Sequence, residues 1–191
     1  MTPILLSGPT EEPVSIAQAR QWLKIDTSDE DDLIGGLITS ARLMIEATTR
    51  RMLMTQSWRL LLDQWPRGIV YQLPLAPVLS VNGVRLIDAL GNPHPLPELL
   101  YWLQASSEKP RLIFNTAPPS PERAAGGIEI DVTVGYGPRR DDVPAPLRQA
   151  ICMLTAAWFE DRGDTLSDAS REPLPPRVAA LVMPYRRTRL A

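Results

Sequence analysis

The stretch Asp29-Glu30-Asp31-Asp32-Leu33-Ile34-Gly35-Gly36-Leu37-Ile38 opens the best-patterned segment of the chain, which continues to about Met52. Apolar residues recur in it at helical spacing. The stripe consists of Leu33, Ile34, Leu37, Ile38, Ala41, Ile45 and Thr48. The acidic first turn and the basic pair Arg50-Arg51 both suit the helix dipole. The pattern predicts one long helix, and its two glycines predict the close approach of another backbone.

A shorter helix is predicted immediately before this segment. Ser15 and Gln18 have the spacing of a capping box, and Pro13 lies just upstream. These signals predict a helix from Ser15 to about Lys24. Its shared face would carry Ile16, Ala19, Arg20 and Leu23.

The period of the apolar pattern changes from helical to two between Gln56 and Val134. Alternation is cleanest in the last run, from Ile128 to Val134. Further strands are expected at Trp58 to Leu62, Ile69 to Leu73, Val78 to Asp88, Tyr101 to Leu103 and Arg111 to Phe114. Asn82-Gly83 indicates a bulge or a tight turn, and Gly91-Asn92-Pro93 indicates a turn. The region predicts a small antiparallel sandwich or barrel.

A strong helix returns after the strands, from about Pro144 to Asp161, and Arg162-Gly163 would end it. One face carries Leu147, Ile151, Leu154 and Trp158, and a second carries Cys152, Thr155, Ala156 and Phe159. From Asp164 onward the chain is rich in proline, arginine and small polar residues, with one short apolar cluster at Val178 to Met183. One short helix could form from Pro176 to Met183. We expect this arm to become ordered only against another chain, because so little apolar surface offsets its ordering entropy.

These patterns predict an α+β fold in four parts. Residues 1–53 form an N-terminal helical part, 54–136 a β-rich part, 137–163 the late helix, and 164–191 a C-terminal arm.

Composition limits the functional classes. The chain has 191 residues, of which 44% are hydrophobic, and a formal net charge of −2, which gives no basic footprint of a nucleic-acid binder. Its single cysteine, Cys152, cannot form an intrachain disulfide, which fits a reducing cytoplasm. Neither a basic leader followed by an apolar run nor a membrane-spanning stretch is found, so we expect no membrane association.

No pattern of residues indicates catalysis, a cofactor or a metal. The acidic run of residues 29–32 is best explained as helix N-terminal charge, since it lacks the glycine and distal glutamate of a calcium loop. His94 is the only histidine, so a catalytic triad or a multi-histidine metal site has little support. A Cys152–His94 pair is a remote alternative. Four tryptophans, Trp58, Trp65, Trp102 and Trp158, could stack on bases, but three of them lie in apolar strand or helix patterns, so core packing is the preferred interpretation. Trp22 could serve an interface.

The chain resembles the head–tail connector (adaptor) proteins of long-tailed phages and gene transfer agents, over nearly its whole length. The matching motifs, in order, are Glu12-Pro13-Val14-Ser15, Lys24-Ile25-Asp26, Asp31-Asp32-Leu33-Ile34, Ile45-Glu46-Ala47-Thr48-Thr49-Arg50, Thr55-Gln56-Ser57-Trp58, Pro77-Val78-Leu79-Ser80-Val81, Val134-Gly135-Tyr136-Gly137, Val143-Pro144, Trp158-Phe159-Glu160-Asp161-Arg162 and Leu181-Val182-Met183-Pro184-Tyr185-Arg186. The strand-rich middle is similar to the larger branch of the family, found in gene transfer agents. The resemblance implies that the β-rich part, residues 54–136, is an insert and that the late helix, residues 137–163, completes one helical core.

The resemblance implies a non-enzymatic structural protein of the virion, made in the bacterial cytoplasm and placed at the head–tail junction. It implies a homo-oligomeric ring, commonly dodecameric, that docks beneath the portal protein and extends the DNA channel. A tail-side stopper or terminator would bind the other face, and double-stranded DNA would pass without sequence recognition.

Two sets of residues are candidates for the contacts of such a ring. In the arm, Tyr and Arg are typical interface anchors, and the candidates are Leu181, Val182, Tyr185, Arg186, Arg187 and Arg189. On the late helix, Cys152 and Phe159 would meet an adjacent subunit. The rival interpretations are a small-terminase-like DNA-packaging accessory protein, and an enzyme with an unfamiliar site.

Overall fold

A computed structural model describes residues 2–106, 108–161 and 174–187. These residues form four α-helices and two antiparallel sheets, so the predicted α+β class is confirmed. The chain divides into two compact units. The helical unit comprises Glu11–Met54 and the chain from Gly137 onward, and the strand unit comprises the chain up to Thr10 together with Thr55–Tyr136.

The helices of the helical unit begin and end close to the predicted positions. They are α1 (Ile16–Leu23), α2 (Asp31–Thr49), α3 (Ala145–Glu160) and α4 (Pro176–Val182), with 3-10 turns at Arg140–Asp142 and Met183–Tyr185. The capping box is confirmed, because the Gln18 amide donates to Ser15 Oγ at 3.1 Å and the Ser15 amide donates to Gln18 Oε1 at 3.0 Å. The predicted end of α3 at Arg162-Gly163 lies outside the described residues.

The buried face of α2 is narrower than the apolar stripe in its sequence predicts. Ile34, Ile38, Ala41 and Ile45 are at most 1% exposed, whereas Leu33 is 40% exposed. Among the described residues of the subunit, no other backbone approaches these glycines closely. A Cβ added to Gly35 would meet only Ile16 Cδ1 at 3.7 Å, and one added to Gly36 would meet nothing within 4 Å.

A buried ionic network fixes the chain on both sides of α2. Arg42 Nε lies 2.7 Å from Glu12 Oε2, and its Nη1 lies 2.9 Å from Glu46 Oε2. The Leu53 amide donates to the second oxygen of Glu46 at 2.8 Å. Burial raises the pKa of Glu46, although the Leu53 amide and Arg42 oppose this shift. The Arg42–Glu46 pair therefore holds both segments to α2: Arg42 binds the segment before α1, and Glu46 binds the segment after α2.

The strand unit contains two antiparallel sheets that are not closed into a barrel. Their strands are β1 (Thr2–Ser7), β2 (Gln56–Leu62), β3 (Val70–Gln72), β4 (Val78–Ile87), β5 (Pro93–Pro95), β6 (Tyr101–Gln104), β7 (Arg111–Phe114) and β8 (Ile128–Val134). A 3-10 turn at Glu98–Leu100 precedes β6. The orders are β1-β2-β8-β4-β5 and β3-β7-β6.

Alternation along β8 follows the prediction. Ile128, Ile130, Val132 and Val134 are each 0% exposed, and the residues between them are half-buried. The register of β4 shifts between Val81 and Gly83, so Asn82-Gly83 is a bulge rather than a turn. Strand β1 was not predicted, and it moves the chain up to Thr10 from the N-terminal helical part into the strand unit.

Candidate assembly surfaces

The C-terminal segment 174–187 folds against its own chain. Leu174, Val178 and Val182 are 5%, 1% and 1% exposed, and α4 packs on α3 and α2. We expected this segment to bury too little apolar surface within its own chain, and that expectation is wrong. The apolar cluster packs α4 against the other helices of the unit. Residues 162–173 and 188–191, and with them the candidate Arg189, lie outside the described residues.

Two hydrogen bonds fasten the end of this segment to the end of α2. The last carbonyls of a helix have no partner within the helix. The Arg187 amide supplies one by donating to the Thr49 carbonyl at 3.1 Å. Arg51 Nε donates to the Tyr185 carbonyl at 2.6 Å. Main-chain groups of Tyr185 and Arg187 thus help to position the end of this segment.

This junction gathers arginines into what we call the α2-end cluster, defined by Arg50, Arg51, Arg186 and Arg187. Arg50 and Arg186 are exposed, Arg187 is half-buried and Arg51 is 5% exposed. Burial lowers the pKa of Arg187, and the charges of Arg51 and Arg50 lower it further. A concentration of positive charge at a helix C-terminus is favourable to the helix and attractive to a carboxylate on a partner.

The other arm residues differ in what they offer to a partner. Val182 is buried inside its own unit, so its apolar surface is used by α4. Leu181 and Tyr185 are half-buried. Met183, which sequence reasoning did not select, is 71% exposed between them. It was part of the apolar cluster Val178 to Met183, but the sequence did not show which member of that cluster is exposed.

A groove lies beside α1 and α3 in the helical unit. It has a volume of about 350 Å³, and its lining includes Val14, Gln18, Trp22, Arg148 and Cys152. Trp22 is 48% exposed, as its sequence position suggested. Burial raises the pKa of the Cys152 thiol, which keeps it protonated at neutral pH and makes it a poor nucleophile.

The second face of α3 is only partly covered. Cys152 and Phe159 are half-buried, although Thr155 on the same face is 1% exposed. On the first face Leu147, Ile151 and Leu154 are 0% exposed and Trp158 is half-buried. The two candidate residues of α3 are therefore not enclosed in the core of one subunit.

Similarity to solved structures extends over the whole chain. A chain in the neck of an empty gene transfer agent (GTA) particle, computed with C6 symmetry, has a TM-score of 0.86 and 30% identity, covering 100% of this chain and 98% of that one. The chain belongs to a family of GTA neck proteins. A chain of the native GTA virion gives 0.84 and 28%, and one of the native neck with C12 symmetry gives 0.81 and 29%, each with the same coverage. No protein-family model matches the chain, and no curated protein matches it.

Membership of the neck family identifies a structural particle component. Among residues 2–106, 108–161 and 174–187, no three His, Cys, Asp or Glu side chains are grouped to hold a metal. Asp31 of the acidic run pairs with Arg20 at 3.4 Å, and His94 Nε2 lies 3.0 Å from Asp88 on an exposed hairpin. No helix in the described parts of this neck protein is both long and apolar enough to cross a membrane.

The tryptophans of the neck protein serve different purposes. Trp65 packs edge-on against Phe114 with ring centroids 4.8 Å apart, and its Nε1 donates to the Pro119 carbonyl at 2.9 Å. Trp58 and Trp158 are half-buried. Trp102 is 49% exposed, so its expected core position is wrong. It lies on β6, an edge strand of the three-stranded sheet, where less of the surrounding structure is available to cover it.

The strand unit also exposes apolar residues that sequence reasoning did not select. On β1, Ile4, Leu5 and Leu6 are 42%, 49% and 48% exposed. Every residue of β1 is exposed, on both faces of the strand. A neck protein with such a strand has apolar surface available for assembly in both of its units.

Proposed function

We propose that this neck protein is a head–tail adaptor. It forms a ring, of twelve copies by the family resemblance, that docks beneath the portal protein and extends the DNA channel. The observation that carries this proposal is the full-length match to a GTA neck chain, with a TM-score of 0.86. The C6 and C12 symmetries of the matched necks support a cyclic arrangement. A tail-side stopper or terminator binds the opposite face.

The ring contact in this proposal includes the second face of α3. A cyclic ring needs a heterologous contact, in which one surface of each subunit meets a different surface of the next. Half-buried Cys152 and Phe159 offer apolar area there, and Trp22 offers an aromatic anchor at the nearby groove.

The end of the C-terminal segment contacts the portal or a neighbouring subunit. Leu181 and Tyr185 contribute apolar area beside Met183, and the α2-end cluster contributes positive charge. A partner surface with carboxylates fits this combination, because Arg binds carboxylates in a bidentate manner. Arg187 and Arg189 remain part of the proposed contact, whereas Val182 acts indirectly by seating α4.

Electron microscopy of the purified chain with the portal protein of the same particle tests the adaptor function. We expect class averages to show a ring of this chain stacked coaxially on the portal ring. A chain that stays unbound to the portal but binds DNA with a steep salt dependence would instead be a small-terminase-like packaging protein.

Charge reversal tests the contact of the C-terminal segment. Arg186→Glu should weaken portal or ring association by about tenfold or more, which corresponds to about 1.4 kcal/mol. Arg177→Glu is the matched control, because Arg177 is an exposed arginine on α4 outside the α2-end cluster. Equal effects of the two variants in a sedimentation binding assay would contradict a specific role for Arg186.

A further inference from the structure

The two edges of the five-stranded sheet differ sharply. The β5 edge is three residues long, Pro93–Pro95, and begins and ends with proline. Proline has no backbone N–H, so this edge is a poor template for another strand. The β1 edge is six residues long, contains no charged residue and has one proline, Pro3. The edges of the other sheet, β3 and β6, have three and four residues.

Strand β1 has the features that soluble proteins avoid at an open edge. In an antiparallel pair, alternate residues of an edge strand direct their N–H and C=O groups away from the neighbouring strand. Along β1 these groups lie beside Ile4, Leu5 and Leu6, each more than 40% exposed. Natural edges are usually protected by charges, bulges or covering elements. Here a register shift between Leu5 and Ser7 is the one irregularity of the pairing with β2.

We propose that the outer edge of β1, together with Ile4, Leu5 and Leu6, binds a second copy of this chain. This inference rests on the proposed ring. In a cyclic assembly each copy presents β1 in the same environment, so a contact that covers one strand covers all of them. A ring that left every copy of β1 open would carry a repeated apolar edge prone to aggregation.

The chemistry of β1 favours this occupant over the other partners of a neck. A strand without Lys or Arg lacks the positive charge that dominates binding to DNA phosphates. Unlike the positively charged α2-end cluster, β1 has no charge that would attract an acidic partner surface. Main-chain hydrogen bonds with apolar side chains are the elements of strand addition. Because the prolines obstruct β5, the second copy contributes a surface other than that edge.

The length of β1 shows that it is one part of the subunit contact. Six residues at about 3.4 Å each extend roughly 20 Å. A stable interface buries about 800 Å² per partner, which exceeds the area of a single strand edge. The β1 contact therefore acts beside other surfaces, and its loss should weaken the ring without altering the fold of the subunit.

The experiment compares wild type, an Ile4→Lys/Leu5→Lys double variant and a Leu90→Lys control. Leu90 is 88% exposed on the β4–β5 hairpin, so it carries the same kind of substitution away from β1. Mass photometry and electron microscopy measure ring formation, alone and with the portal protein. We expect the double variant to remain folded and to need at least about tenfold more protein to form rings. The Leu90→Lys variant should match wild type.

Hydrogen exchange on the wild-type full chain gives a second readout that needs no variant. Outward amides of β1 should exchange at least about tenfold more slowly in the ring than in the free subunit. Wild-type rings with unprotected β1 amides, or normal rings from a folded double variant, would overturn this inference alone. A double variant that forms rings but loses only portal docking would assign β1 to the portal and also overturn it. If wild type forms no ring even with the portal, both this inference and the adaptor function fail.

Discussion

The two units use the same ionic chemistry at different depths. In the helical unit, Arg42 is 7% exposed and sits between Glu12 and Glu46. In the strand unit, Arg59 and Arg85 are 30% and 25% exposed and share the carboxylates of Glu129 and Asp131 across β2, β8 and β4.

Depth decides what each network does. When a buried arginine is removed, water cannot reach its partner carboxylate, so the negative charge stays buried without a counter-charge. Half-exposed pairs on a sheet keep partial hydration and are screened by salt. The helical network therefore holds neighbouring chain segments against α2 and should contribute more to the free energy of unfolding. The strand network contributes less, because burial of the apolar face already stabilises its sheet. The following substitutions test this contrast.

Breaking the buried network should have the largest effect. Arg42→Met leaves Glu46, 6% side-chain exposed, without its guanidinium, and we expect a loss of about 3–5 kcal/mol in unfolding free energy. The measurement is urea denaturation followed by circular dichroism. Burial already raises the pKa of Glu46, and loss of Arg42 removes an interaction that lowers it. Protonation of Glu46 therefore relieves the penalty as pH falls through this raised pKa, so the loss should already shrink above about pH 4.3, the ordinary glutamate pKa, and be smallest below it.

Arg20→Met is the control for this substitution. Arg20 pairs with Asp31 at 3.4 Å, and the two side chains are 28% and 31% exposed. We expect its removal to cost less than about 1 kcal/mol. If Arg42→Met cost no more than Arg20→Met, burial would not be what separates the two networks.

Breaking the strand network should have a smaller effect that depends on pH. Burial opposes the charged form of Asp131, but hydrogen bonds and charges from Arg59 and Arg85 outweigh it and lower its pKa. A lowered pKa means stability that is present above the unfolded pKa, about 3.9, and is lost as pH falls through the folded value. Asp131→Asn should therefore cost about 1–2 kcal/mol at pH 7, and the difference from wild type should narrow below about pH 4.

The salt dependence of this second variant provides its control. The Asp131 pairs are 2.8 Å and 2.5 Å long but partly hydrated, so raising the salt concentration to about 0.5 M NaCl should reduce the loss. A deficit in denaturation experiments that is unchanged by both salt and acid would show that the Asp131→Asn substitution disturbs packing rather than charge, and the contrast between the units would fail.

The sequence correctly predicted elements that bury only one face, because their apolar residues then recur with the period of a helix or a strand. Alternation in β8 and the stripe of α2 both arise because one side of the element is covered. Strand β1 exposes both sides, so Thr2–Ser7 has no alternation to detect. The docking of α4 depends on a distant partner, the Thr49 carbonyl at the end of α2, which no local pattern encodes. The arginines of the arm were therefore found, but their junction with Arg50 and Arg51 was not.

The smallest expected effect has the opposite sign and concerns the glycines of α2. Gly36 is exposed, and an added Cβ would meet nothing within 4 Å in the subunit. Gly36→Ala should therefore stabilise the free chain by about 0.5–1 kcal/mol, because alanine loses less conformational entropy in a helix. Gly35→Ala, which adds only a 3.7 Å contact with Ile16, should behave alike and serves as the matched variant. Thermal unfolding of the subunit measures both. A destabilised Gly36→Ala subunit would contradict the open helix face described here. A stabilised subunit that assembles less well would instead mean that Gly36 leaves room for a neighbouring molecule in the particle. The helical unit would then contribute to assembly through α2 as well as to stability.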